Sequence, residues 1–233
     1  MGITLWYSPL PGSQFHSNFN NLVSSVSTLI PSNKINIQYN EFEHLSESKN
    51  GNFKPFNRYG FNFLPPHITL IKNIPNDNET FNKIIRIIST TLHSETDEKE
   101  NNIVIQDVKF NNKFFENCIL EVKKRSIYIL LSLIAIITDL VKEIPKSDSA
   151  EFKPHVSLTY SDYKFDSETD REMVIERVKT YLKFTIPEEN ISGNIDWDVK
   201  ISNSNKSQKS GRFYIVNCEG PIDQWTVLRY IDI

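Results

Sequence analysis

Leu64-Pro65-Pro66-His67-Ile68-Thr69-Leu70 and Phe152-Lys153-Pro154-His155-Val156-Ser157-Leu158 are two versions of one pattern: Pro, His, aliphatic, hydroxyl, Leu. Side chains alternate between the faces of an extended strand, so His67 and Thr69 share one face and Ile68 and Leu70 the other. His155 and Ser157 oppose Val156 and Leu158 in the same way. In each copy the aliphatic pair can enter a core while imidazole and hydroxyl face a shared space. The tripeptide alone is a weak signal, because 36 of 233 residues are Ser or Thr and His44-Leu45-Ser46 also fits it. That third copy sits in the polar run EFEHLSESKN with no apolar strand to present it, and reads as surface loop. The strength lies in two Pro-preceded, Leu-followed copies at matching places in a longer repeat.

After His67 the chain reads as a short strand, a helix beginning near Thr80, then strands near Ile103 and Asn117. After His155 the same order recurs, with a helix beginning near Thr169 and strands near Ile195 and Arg212. Both helices show apolar residues at helical spacing: Phe81, Ile84, Ile85, Ile88 and Leu92 in the first, Val174, Val178, Tyr181 and Leu182 in the second. Asn78 or Thr80 is the expected cap of the first, Ser167 or Thr169 of the second. Two more helices are predicted. One carries Phe19, Leu22, Val23, Val26, Leu29 and Ile30 and stops at Pro31; the other is the apolar run from Ile127 to about Ile144. A strand at Ile3–Tyr7 precedes these units, and Trp225–Ile231 closes the chain. Polar loops are expected over 41–52, 95–102 and 202–211. These elements predict an α+β chain, residues 1–233 forming one bilobal domain. Two pseudo-twofold related βαββ units would give two antiparallel sheets around a central cleft, with helices outside.

Composition narrows the function classes. Fifteen Phe and nine Tyr against seven Gly exclude a disordered or fibrous chain. The net charge of −3 argues against a nucleic-acid coat, whose affinity rests on many Lys/Arg–phosphate contacts, and leaves small phosphorylated ligands open. Cys118 and Cys218 are too few for a disulfide scaffold and are expected to pack as small apolar residues. The apolar run near Ile127 is shorter than a spanning helix needs. Met1–Tyr7 lacks a basic region and reaches Pro9 before a signal-like run develops, so a cytoplasmic protein is expected. Peripheral association with endomembranes such as the Golgi is the alternative.

Two imidazoles and two hydroxyls suit phosphodiester hydrolysis without a metal. Water attacking a strained cyclic phosphate needs a base to take its proton and an acid for the departing oxygen. Imidazole, titrating near 6.5, serves either role at neutral pH. Neutral hydroxyls can donate to the non-bridging oxygens where charge gathers, without repelling the substrate. No third His, Cys or acidic residue falls at ligand spacing near either motif, so no metal or other cofactor is expected. Ser157 as a nucleophile lacks a Gly-rich elbow.

The paired Pro-His-aliphatic-[Ser/Thr]-Leu motifs resemble the 2H phosphoesterases, the LigT-like superfamily. Leu5-Trp6-Tyr7-Ser8-Pro9 and the overall length are most similar to the fungal cyclic phosphodiesterases acting on ADP-ribose 1″,2″-cyclic phosphate. The resemblance implies that His67, Thr69, His155 and Ser157 are catalytic, and that Thr69 and Ser157 also bind substrate phosphate. It implies hydrolysis of that compound to ADP-ribose 1″-phosphate and of nucleoside 2′,3′-cyclic phosphates to 2′-phosphates, in metabolism of a tRNA-splicing by-product. Plant relatives carry a Tyr three places after the second hydroxyl and an N-terminal Trp near the cleft, which points to Tyr160 and Trp6 as substrate-binding residues. Tyr160 has the opposite strand parity to His155 and Ser157, so it reaches the cleft only if the strand bends after Leu158. The expected partner is a small nucleotide, with no stable nucleic-acid complex, no transmembrane segment and a monomeric chain. Alternatives are a 2′–5′ RNA ligase or RNA-end phosphodiesterase, and a module that binds a nucleotide phosphate without turning it over.

Overall fold

The structure is a computed structural model that describes residues 2–11, 13–31, 33–34, 36–37, 66–94, 103–111, 113–145, 152–182, 195–197, 211–220 and 222–233. The strands are β1 (Ile3–Pro9), β2 (Asn36–Ile37), β3 (Ile68–Ile74), β4 (Ile103–Phe110), β5 (Cys118–Val122), β6 (His155–Ser161), β7 (Ile195–Trp197), β8 (Gly211–Asn217) and β9 (Thr226–Asp232). The helices are α1 (Gln14–Ser27), α2 (Asn78–Ser94), α3 (Tyr128–Leu140) and α4 (Glu168–Leu182). The expected loops at 41–52, 95–102 and 202–210 and the His44 motif lie outside the described residues.

α1, α2 and α4 begin where a side chain satisfies an open amide, whereas α3 follows Ile127 with no side-chain cap. Ser13 Oγ accepts from the His16 amide at 3.2 Å to open α1. Ser167 Oγ accepts from Asp170 N at 3.0 Å before α4, one of the two caps anticipated. The cap of α2 is neither Asn78 nor Thr80. Asp77 Oδ1 takes the Thr80 amide at 2.7 Å, one residue upstream of the expected position, and a carboxylate there also meets the positive end of the helix dipole. The apolar run gives an α-helix shorter than the run itself, because the backbone leaves helical geometry at Val141 and Ile127 belongs to the preceding 3-10 turn Lys124–Ile127. Among the described residues no helix is long and apolar enough to cross a membrane. Cys118 and Cys218 are free and buried, Cys218 Sγ lying 3.2 Å from Thr4 Oγ1.

The two expected sheets are one. Eight strands run in the order β7-β4-β5-β6-β3-β1-β8-β9, and β2 adds to β6 as the ninth. All the pairings are antiparallel. The physical cause is edge pairing: β3 and β6, the first strands of the two anticipated units, join each other through Ile68 opposite Val156. Instead of facing each other across a gap, the halves are sewn into a continuous ladder. The βαββ succession occurs twice in the chain, but the placing does not repeat. β4 and β5 cross over to lie beside β6, whereas β8 returns to β1 beside β3.

Behind the central strands, α1 packs on β6 and α4, and α3 packs on β3 and α2. Ile68, Leu70, Val156 and Leu158 are buried in the core with Leu5, Tyr7, Phe19, Leu22 and Leu133. The aliphatic member of each motif therefore does what its parity requires. The opposite face of the same strands is left for the polar members.

Candidate active site

A single residue pair builds the site. Ile68 and Val156 face each other across β3 and β6, both fully buried. Ideal antiparallel geometry carried one residue to either side of this pair would set His67 opposite Ser157 and Thr69 opposite His155. All four lie on the face turned away from Ile68 and Val156. Directly opposed residues stand about 4.5–5.5 Å apart at Cβ and diagonal ones about 7–8 Å. In that register the imidazoles would occupy one diagonal of a four-cornered patch and the hydroxyls the other. Beyond this patch the strands part company, β3 continuing along β1 while the far end of β6 pairs with β2 through Ile37–Tyr160 and Asn36–Ser161. The patch lies where the two halves of the sheet diverge.

Each histidine is held differently. His155 is half-buried, and its Nδ1–H donates to the Lys153 carbonyl at 2.9 Å. That bond uses the proton on Nδ1 and leaves Nε2 with a lone pair in the neutral ring. Glu121 faces His155 from β5. His67 is buried and stacks on the Trp6 indole, ring centroids 3.7 Å apart and planes 11° from parallel. Trp6 stands opposite Thr69 on β1, on the same face as the four polar residues. With only 1% of its surface accessible, Trp6 has almost no face of its own to offer a ligand.

Ser157 donates from Oγ to the Phe115 carbonyl at 3.0 Å. Thr69 is half-buried, at the open side of the patch with His155. Tyr160 reaches the same neighbourhood by the means its parity demands. Cys118 pairs with Thr159 and Ile119 with Ser157, so Leu158 is an extra residue on β6. A bulge of this kind bends the strand and changes which way the following residues face. The Tyr160 ring then meets Phe115 edge-on at 6.0 Å.

Two residues of this site had no place in the sequence reading. Phe115, in the 3-10 turn Phe114–Glu116 between β4 and β5, stacks on Trp225 with centroids 6.0 Å apart and planes at 17°. Trp225 in turn lies 6.0 Å from Trp6. His67, Trp6, Trp225, Phe115 and Tyr160 thus form a continuous aromatic arc along one side of the patch. The one available signal was the Phe114-Phe115 pair in an otherwise polar turn, of which Phe114 packs against the core and Phe115 is exposed. Among the described residues no group of three or more His, Cys, Asp or Glu is arranged to hold a metal ion.

The family profile described as cyclic phosphodiesterase-like protein matches residues 1–233. The 2′,3′-cyclic-nucleotide 3′-phosphodiesterase of Saccharomyces cerevisiae is 27% identical over 269 aligned positions, covering 100% of this chain and 100% of the relative. The protein of the same name from Kluyveromyces lactis is 27% identical over 243 positions, covering 100% of this chain and 99% of the relative. A solved structure of Kluyveromyces marxianus Usb1 with uridine monophosphate matches at 13% identity and a TM-score of 0.35, covering 77% of this chain and 83% of that one.

Proposed function

The chain belongs to the cyclic phosphodiesterase-like protein family, and we propose that it opens five-membered cyclic phosphates without a metal. In this reading it converts ADP-ribose 1″,2″-cyclic phosphate to ADP-ribose 1″-phosphate and nucleoside 2′,3′-cyclic phosphates to 2′-phosphates. The observation that carries the proposal is the Ile68–Val156 pair, which sets the two motifs on neighbouring antiparallel strands. A phosphorus centred on the patch has an imidazole on either side, as in-line displacement requires, and a hydroxyl at each remaining corner for its non-bridging oxygens.

The two imidazoles take different parts. His155, its Nδ1 proton engaged by Lys153 O, presents the Nε2 lone pair and serves as the base. His67, its ring stacked on the Trp6 indole, serves as the acid. Water attacks phosphorus as its proton passes to His155. The opposite P–O bond breaks, and the ribose oxygen leaves with the proton from His67. One water is consumed and one phosphomonoester is formed. Thr69 and Ser157 donate to the phosphoryl oxygens, Ser157 turning its hydroxyl from the Phe115 carbonyl to do so. The chain acts on these small nucleotides as a monomer in the cytoplasm.

Phosphorus NMR of the two cyclic phosphates incubated with the protein tests the reading. Each ring phosphate resonance is expected to give way to a monoester resonance, with a bell-shaped pH dependence of kcat from the histidine pair. Unchanged spectra, or a rate flat from pH 5 to 9, would overturn it.

A further inference from the structure

We propose that Glu121 is a positioning residue of the reaction: its carboxylate, tethered by Lys109, faces His155 and balances the positive charge that the ring gains on taking a proton from water. The inference rests on the reaction proposed above and adds to it a residue outside both motifs.

The register of β5 on β6 pairs Glu121 with His155, Leu120 with Val156 and Ile119 with Ser157. Directly opposed residues project to the same face of a sheet, so Glu121 shares the face of His155 and Ser157. Leu120 and Val156, both fully buried, take the other. The Val122 amide donates to Pro154 O at 2.9 Å, which makes Val122 and Pro154 a hydrogen-bonded pair. Glu121 and His155, next along the ladder, are therefore a non-hydrogen-bonded pair. Cα atoms in such pairs stand about 4.5 Å apart, the closer of the two antiparallel spacings, and their side chains approach most nearly.

Glu121 is also held from its other side. Asp107 on β4 stands directly opposite it, and two like charges so placed repel. Lys109 Nζ offsets them, bonding the Asp107 carboxylate and lying 3.9 Å from Glu121 Oε2. The bond to Asp107 raises the Lys109 pKa, so the tether stays charged. The three groups sum to one negative charge on the strands beside His155. Among the described residues, the charged and titratable groups around that ring are Glu121 from β5, His67 from β3 and the exposed Lys153 on its own strand. An anion next to a phosphate pocket weakens substrate binding, but it favours the imidazolium that forms as water attacks. Glu121 exchanges no proton: the water proton goes to His155 Nε2, whose Nδ1–H stays on Lys153 O. Lys109 keeps the carboxylate from swinging onto Nε2 and occupying the base.

The test is the split between kcat and KM for uridine 2′,3′-cyclic phosphate in the parent protein, Glu121→Gln and Glu121→Asp. Gln keeps the size of the side chain and removes its charge. In Glu121→Gln kcat is expected to fall about 3- to 10-fold, while KM falls too because the repulsion of the substrate phosphate is gone. Glu121→Asp, which keeps the charge, is expected to regain most of kcat. Adding Lys109→Met to Glu121→Gln is expected to lower kcat less than Lys109→Met does alone, since the tether then holds no charge. A kcat that does not fall in Glu121→Gln, a KM that rises, or an equal loss in Glu121→Asp assigns Glu121 a packing role and overturns the proposal. A parent protein that does not hydrolyse the compound overturns the reaction instead. Calorimetric titration with inorganic phosphate then decides the placing of Glu121. Tighter binding in Glu121→Gln than in the parent supports a carboxylate facing the site, and equal or absent binding in both refutes it.

Discussion

His16, on α1, makes this protein's stability depend on pH in a defined window. The ring is buried, and burial followed by the nearby Arg212 guanidinium pushes its pKa down from 6.5 to about 4. The folded state therefore holds the neutral ring, while the unfolded chain takes up a proton as pH falls below 6.5. A group with a depressed histidine pKa costs the fold nothing above that value and weakens it progressively down to about pH 4, where the loss levels off. The full shift corresponds to about 3 kcal/mol, and about 2 kcal/mol is already lost between pH 7 and pH 5. Urea denaturation of the parent and of His16→Gln at half-unit intervals from pH 7.5 to 4.5 isolates this contribution, since all other groups titrate in both. The parent is expected to lose about 2 kcal/mol more than the variant on going from pH 7 to pH 5. Arg212→Met removes the smaller cause and should make the parent's slope shallower. Parallel curves for parent and His16→Gln would refute the assignment of a buried neutral ring.

Three further outcomes follow from particular contacts. At Gly211 a Cβ would stand 2.5 Å from the Tyr7 hydroxyl oxygen and 2.7 Å from Tyr7 Cζ. Tyr7 is fully buried and cannot give way, so Gly211→Ala should cost about 1–3 kcal/mol by urea denaturation, and an unchanged midpoint would exclude the clash. Thr69→Ala and Ser157→Ala are each expected to lower kcat about 10- to 1,000-fold with a smaller effect on KM, because their bonds strengthen as charge develops on the phosphoryl oxygens; a change confined to KM would mark them as ground-state binders. Turnover should persist after dialysis against EDTA, and a loss restored only by a divalent ion would point to metal-assisted hydrolysis.

Most of the polar site was legible because strand parity is a strict rule. Once Pro-His-aliphatic-hydroxyl-Leu was read as a strand, the buried aliphatics and the shared face of imidazole and hydroxyl followed from the two-residue period. Ile68 and Val156 are fully buried, as that reading requires. The same rule stated the condition for Tyr160, a bend after Leu158; β6 carries an extra residue there, and Tyr160 itself is packed in the core. What parity does not contain is side-to-side order. Phe115, Trp225 and Glu121 join the site through cross-strand register or ring contacts between segments far apart in the chain, and no local pattern encodes those neighbours. The cap of α2 was missed for a smaller reason: Asp77, Asn78 and Thr80 are all competent caps in sequence, and only the geometry of the turn chooses among them.

The expectation of two sheets failed for a reason that bears on the chemistry. A repeat in sequence predicts two similar units, but each unit begins with a strand that has a free edge, and a buried free edge must be paired. Pairing the two leading strands with each other satisfies both edges at once and merges the sheets. It also brings the two motifs into register, which facing sheets would not guarantee. Had β3 and β6 slipped by one residue, His67 would stand opposite Val156 or Leu158, and an imidazole would share its face with core aliphatics. The burial of Ile68 and Val156 against the helical layer holds the register. In the proposed reaction, hydrophobic packing behind the sheet thereby sets the spacing of the acid and base in front of it. A Val156→Asp change should accordingly abolish turnover by displacing both motifs, although Val156 lies on the opposite face from every reacting group. Activity retained in a folded Val156→Asp protein would show that the register is fixed by something other than this pair.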